Sequence, residues 1–154
     1  TIGGGMKALM EHPEELAKLR ANPELARQAA REMIRWVSPV RHMMRTTTED
    51  VEFRGKTIRA GENLCLWYPS ANRDSDAIDD PDTFRIDRDN RNQLAFGYGG
   101  HMCLGQHLAV LEVEMFFREL LPRLESIEPA ADPEWVQAIF VGGLKSMPVR
   151  YAFR

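Results

Sequence analysis

The sequence predicts a mixed α+β chain, mainly α, with small antiparallel sheets, a long irregular meander and one glycine-rich loop ahead of a long helix. Three observations carry this. Apolar residues recur at helical spacing over residues 1–37 and again over 104–121. Between them, and again after Arg123, β-branched alternation is broken by turn pairs such as Arg54-Gly55 and Gly142-Gly143. A polar stretch, YPSANRDSDAIDDPDTFRIDRDNRNQ, has neither period. A coil of that length inside a domain usually has a function.

In chain order, Ile2, Met6, Leu9 and Met10 form an apolar stripe that ends near Glu11. It reads like the middle of a helix, so the chain is expected to begin inside a larger domain. Pro13 can open a short helix, PEELAKLRA, because a proline at the first position gives up an N–H that has no partner there. Asn22 is placed to cap a longer helix, PELARQAAREMIRWV. That helix stops at Ser38-Pro39, since the residue before a proline is pushed out of the helical region. Val40 to Trp67 reads as antiparallel strands with turns at Glu49-Asp50, Arg54-Gly55 and Ala60-Gly61. After the meander and the glycine loop, a strong helix runs from about Leu104 to Leu121, and short strands complete the chain.

Composition sets limits. The chain has 154 residues, 44% of them apolar and 28% charged, with a net charge of −3. The scattered arginines form no basic patch, so nucleic acid is not an expected partner. No apolar run approaches the roughly 18 residues of a membrane span, and there is no signal-peptide pattern. Cys65 and Cys103 form no CxxC pair, which argues against a disulfide framework or structural zinc. A reducing, cytoplasmic setting follows.

The stretch LAFGYGGHMCLGQHLAVLE, residues 94–112, places a cysteine and several glycines just before a helix. A helix N-terminus favours a thiolate, and glycines let backbone approach a flat group closely. Taken alone, Cys103 reads equally as a buried, inert cysteine and His101 as a surface histidine. Together, Phe96, Gly99, His101, Cys103 and Gly105 form the pattern F-x-x-G-x-H-x-C-x-G. This pattern, followed by Leu108, Ala109 and Glu112, strongly resembles the haem-binding signature of cytochrome P-450 monooxygenases.

The resemblance implies roles. Cys103 would be the proximal thiolate ligand of haem b, and the N–H groups of the following helix would tune its sulfur. Gly99 and Gly105 would remove side chains where backbone meets porphyrin. Phe96 would shield the sulfur, Ala109 would leave room for the ring, and His101 would donate to a propionate. Glu32 and Arg35 match the family's E-x-x-R pair, expected to be buried although the same spacing is common on helix surfaces. The family often adds an arginine at the position held here by Thr83, so Arg85 and Arg88 become the candidates for third partner. Arg45 stands where bacterial members carry a second propionate-binding group. The segment ANRD, with Asn72, resembles a bacterial structural turn. Val40, Met43, Met44, Phe140 and Val141 would line the substrate pocket, although their composition fits an ordinary core equally well.

Residues 1–154 are thus expected to form the C-terminal portion of one P-450 domain, with the N-terminal part absent. YPSANRD, HMCLGQHLA and FVGG look most like soluble bacterial members that hydroxylate monoterpenes such as terpineol. The implied activity is O2- and electron-dependent hydroxylation of a small apolar substrate, a terpenoid or aromatic. Electrons would come from NAD(P)H through a ferredoxin and its reductase. The family's oxygen-activating acid and alcohol would lie upstream of Thr1, so the isolated chain is expected to be inactive.

Overall fold

The computed structural model describes all residues from Thr1 to Arg154. Helix α1 (Ile2–Glu11) is followed by α2 (Pro13–Ala21), a 3-10 turn at Pro23–Leu25, and α3 (Ala26–Val37). Asn22 caps that turn, its side chain accepting from the Glu24 N–H at 3.3 Å. The first strands, β1 (His42–Thr46), β2 (Val51–Phe53), β3 (Lys56–Ile58) and β4 (Asn63–Trp67), form two antiparallel pairs, β1 with β4 and β2 with β3. Arg54 and Gly55 both adopt positive φ at the β2–β3 turn, the geometry of a tight two-residue hairpin. A single helical turn, α4 (Tyr68–Ala71), opens the meander. The long helix is α5 (Gln106–Leu120). The last strands are β5 (Leu124–Pro129), β6 (Glu134–Trp135), β7 (Leu144–Ser146) and β8 (Val149–Phe153), pairing β5 with β8 and β6 with β7.

The core lies where α1, α3 and α5 meet. Leu9, Met33, Ile34, Val113 and Phe117 are buried there. The glycines of α1 have a packing reason: a Cβ on Gly5 would lie 2.7 Å from the Met33 Sδ, and one on Gly4 would lie 2.6 Å from a Val37 methyl. They let α1 and α3 approach closely. The meander is anchored, not loose. Phe84 and Ile86 insert into the core, and the Ile86 N–H donates to the buried Glu15 carboxylate at 2.7 Å.

Much apolar surface nevertheless stays uncovered. The accessible area is 9820 Å², against about 7,900 Å² for a compact monomer of 17.6 kDa. Leu104, Leu108, Leu111, Met115 and Phe116 of the α5 region are all exposed. No helix is long and apolar enough to cross a membrane.

Candidate haem-binding site

The α3 helix positions the charged centre of the molecule. Glu32 and Arg35 are both 0% exposed. The Arg35 guanidinium donates to Glu32 twice, from Nε at 2.7 Å and from Nη2 at 2.8 Å. Its Nη1 donates to the carbonyls of Asn72 at 2.7 Å and Pro81 at 2.8 Å. The pair therefore grips the meander from inside. The third partner resolves into two contributions. Arg88 supplies the side chain, its Nε lying 3.3 Å from the Glu32 Oε1 and its Nη2 donating to the Asp80 and Thr83 carbonyls. Arg85 supplies only its backbone N–H, at 3.0 Å from the same carboxylate oxygen. The Arg85 side chain points outward to Asp79. Nearby, Arg73 lies over the Trp36 ring at 4.3 Å. Its guanidinium is held below its ordinary pKa, first by burial and then by the charge of Arg35.

The cysteine loop is folded on itself. The Cys103 N–H donates to the Phe96 carbonyl at 2.9 Å, and Gly97 to Leu94 at 2.9 Å. Gly99, at φ +67, starts a 3-10 turn that ends at His101. Gly97 is buried at φ +75, and a Cβ there would sit 3.1 Å from the Tyr68 hydroxyl. That requirement was not read from the sequence, although the FGYGG run was its signal. Gly105 precedes α5 as its N-cap. Cys103 is a free thiol left exposed by the packing of residues 1–154. Around it Tyr98, Met102, Leu104 and Leu108 are exposed, while Phe96 and Ala109 are half-buried.

The remaining site residues come from the sheets. Val40 bridges Val141, the Arg41 N–H donates to the Phe140 carbonyl at 2.9 Å and that of Gly142 to Pro39 at 2.7 Å. The segment after α3 and the C-terminal turn are thereby laid side by side. In the β1–β4 ladder Met43 faces Leu66, Met44 faces Cys65 and Arg45 faces Leu64. Successive strand residues point to opposite faces, so Met43 shares a face with Arg45 and Met44 does not. The two methionines therefore cannot both line the same wall; His42, on the face of Met44, lies 5.8 Å from the Phe140 ring. Met43, Met44, Phe140 and Val141 are exposed and Val40 is half-buried, so residues 1–154 by themselves do not bury them. Arg45 is half-buried on β1 and donates to the Met44 carbonyl at 2.8 Å. Neither Arg45 nor His101 is paired with a carboxylate of the chain.

Residues 6–146 match the sequence profile of the cytochrome P450 family. The chain belongs to that family. It is 46% identical over 149 residues to cytochrome P450-terp of Pseudomonas sp, covering 97% of this chain and 35% of the relative. It is 44% identical over 151 residues to a steroid C26-monooxygenase of Mycolicibacterium smegmatis, covering 97% and 38%. The crystal structure of CYP108D1 from Novosphingobium aromaticivorans superposes with a TM-score of 0.93 at 40% identity, over 99% of this chain and 37% of that one. The chain thus spans little more than a third of the length of these P450s.

Membership of the P450 family implies haem, and the residues present fit it. The donor set offers one exposed thiol at a helix N-terminus and exposed apolar side chains on either side of it. A Cβ at Gly99 would meet nothing within 4 Å, and one at Gly105 only the Cys103 sulfur at 3.9 Å. The chain's own packing therefore leaves this surface open to a flat apolar group. Two hydrogen-bond donors without a carboxylate partner in the chain, Arg45 and His101, suit the carboxylates such a group carries.

Proposed function

We propose that residues 1–154 form the haem-ligating C-terminal portion of a bacterial-type P450 monooxygenase that hydroxylates a small apolar substrate. The observation that carries it is the exposed Cys103 thiol in a glycine loop capped by α5, bordered by uncovered apolar surface. Haem bound to a thiolate supplies O2 activation and insertion of one oxygen atom into a C–H bond. The chain's residues serve that chemistry by holding and shielding. Cys103 binds the iron, Phe96 keeps the sulfur dry, and Arg45 and His101 hold the propionates. Gly99, Gly105 and Ala109 leave room for the ring. The Glu32–Arg35–Arg88 cluster fixes the meander beneath the loop.

Val40, Phe140 and Val141 form the wall of an apolar pocket, to which β1 adds Met43 or Met44 from its two opposite faces. Apolar and adaptable side chains suit a terpenoid or small aromatic molecule. The identity to cytochrome P450-terp supports the terpenoid, while the steroid-acting relative marks the alternative. Electrons arrive from NAD(P)H through a ferredoxin and its reductase, in the cytoplasm. The excess of exposed apolar surface supports the reading that further helices of the same domain cover α5.

The test is a chimera in which this chain replaces the matching stretch of cytochrome P450-terp. Its ferrous CO complex should show the red-shifted Soret band of thiolate ligation. Cys103→Ser should abolish that band and Cys65→Ser should keep it. Retention of the band in Cys103→Ser overturns the assignment. Titration with terpineol, cymene and a steroid decides the pocket, and a tight response to the steroid alone overturns the terpenoid reading.

A further inference from the structure

The cysteine loop is well bonded internally and packs on the core through Ala95 and Phe96, but its hydrogen bonds to the rest of the chain are few. Beyond its flanking residues 90–106, residues 94–103 make a single hydrogen bond to the rest of the protein. It runs from the Leu94 N–H to the Asn72 side-chain oxygen, at 2.7 Å. Asn72 is 0% exposed, and each of its polar groups is engaged. Its side-chain nitrogen donates to the Ser38 hydroxyl at 2.7 Å. Ser38 in turn donates to the Arg35 carbonyl at 2.6 Å. The Asn72 carbonyl accepts from the Arg35 guanidinium, and its N–H donates to Tyr68 at 2.9 Å.

The partners fix the amide's orientation. Leu94 offers only a donor, so the oxygen must face it. Ser38 spends its proton on Arg35 and offers only a lone pair, so the nitrogen must face that side. Only a side-chain amide of this length supplies both at once. The adjoining Tyr68 packs against Gly97 of the same loop. The turn at residues 68–72 is therefore the buttress between α3 and the loop.

We propose that Asn72 is a positioning residue for Cys103: it transmits the position of the buried Glu32–Arg35–Arg88 cluster to the first residue of the cysteine loop and so holds the sulfur in register for the iron. This rests on the haem-thiolate reading above. Asn72 does not touch the reacting atoms. It acts through the Leu94 N–H, one end of a loop whose other end is tied to α5.

The test uses the chimera loaded with haem. Ser38→Ala breaks the network on the α3 side and leaves the Leu94 bond in place. It should lower the urea midpoint and keep the thiolate band in full. Asn72→Asp retains the acceptor for Leu94 and should also keep the band. Asn72→Leu, close in volume, should raise the ratio of thiol-ligated to thiolate-ligated CO complex roughly tenfold, towards the lower end of what an unpaired N–H carries because Leu94 is half-buried. Equal behaviour of Ser38→Ala and Asn72→Leu, or loss of the band in folded Asn72→Asp, overturns the proposal. Should Asn72→Leu fail to fold, an ester in place of the peptide bond between residues 93 and 94 deletes only the Leu94 N–H. The band should then fall as for Asn72→Leu, and an intact band refutes the idea. If the unaltered chimera lacks the band, the haem-thiolate reading itself fails, a result separate from these.

Discussion

Glu32→Ala tests the charged centre directly. The substitution removes the one carboxylate that reaches both Arg35 and Arg88, whose side chains are 0% and 3% exposed. It also strands the Arg85 N–H. The carbonyls of Asn72, Pro81, Asp80 and Thr83 stay in place, so hydrogen bonding to the two guanidinium groups largely survives. What is lost is charge compensation. One-sided loss of a buried pair costs about 3–5 kcal/mol, and the stranded N–H adds about 1–3 kcal/mol. Against a total stability of about 5–15 kcal/mol, the variant should unfold or fail to take up haem. Glu32→Gln keeps an acceptor and should lose less, while still lacking the charge. The assay is haem loading of the chimera, followed through the Soret-to-protein absorbance ratio, with a urea melt on each variant. Normal loading in Glu32→Ala, with a loss under about 1 kcal/mol, is the behaviour of a surface pair and would refute the reasoning.

Four further outcomes are expected. Arg45→Leu should loosen haem by about 1.5–3 kcal/mol, one charge-assisted hydrogen bond, with the thiolate band unmoved; transfer of haem to apomyoglobin measures it. Arg88→Met should destabilise by about 3 kcal/mol or more while Arg85→Met costs under about 1 kcal/mol, and urea melts that reverse this order contradict the assignment of Arg88 as third partner. Gly97→Ala should cost about 1–2 kcal/mol for its left-handed backbone, and more as Tyr68 is pushed aside, so an unchanged melt counts against the loop geometry. Lys18 has its pKa raised above the ordinary 10.5, chiefly by its hydrogen bond to Glu15, so its contribution is complete below that value and is lost as pH rises through the folded-state pKa. For this exposed group the effect is under about 1 kcal/mol, and thermal melts of Lys18→Met and wild type should converge at alkaline pH.

Most elements were legible because local chemistry decided them. Pro13, Asn22 and Ser38-Pro39 bound α2 and α3, Arg54-Gly55 turns the β2–β3 hairpin, and the glycine loop announces α5. The motif residues were legible as a set because their spacing is specific. What escaped was decided by contacts distant in sequence. The α4 turn lay hidden in a polar stretch because a buried asparagine looks like any turn asparagine until Ser38 and Leu94 are seen on either side. Met43 and Met44 read as one apolar pair, yet strand alternation sets them on opposite faces.

The choice between Arg85 and Arg88 shows why such ambiguities resist a sequence reading. Both are arginines in the meander, and either could reach Glu32 after a small change of backbone path. Phe84 and Ile86 decide it: both insert into the core, and the Ile86 N–H is bonded to Glu15 on α2. With its neighbours on both sides drawn inward, Arg85 presents its backbone to the carboxylate and its side chain to solvent. Arg88, two residues past Ile86, turns back inside to the Asp80 and Thr83 carbonyls and the Glu32 carboxylate. The third partner of the buried pair is thus selected by apolar anchors that flank Arg85 and precede Arg88. If so, Ile86→Ala should disturb the ion cluster as well as leave a cavity, whose own cost is about 2–5 kcal/mol. A double-mutant cycle of Ile86→Ala with Arg88→Met measures the link. Strict additivity would show that hydrophobic anchoring and the choice of arginine are independent.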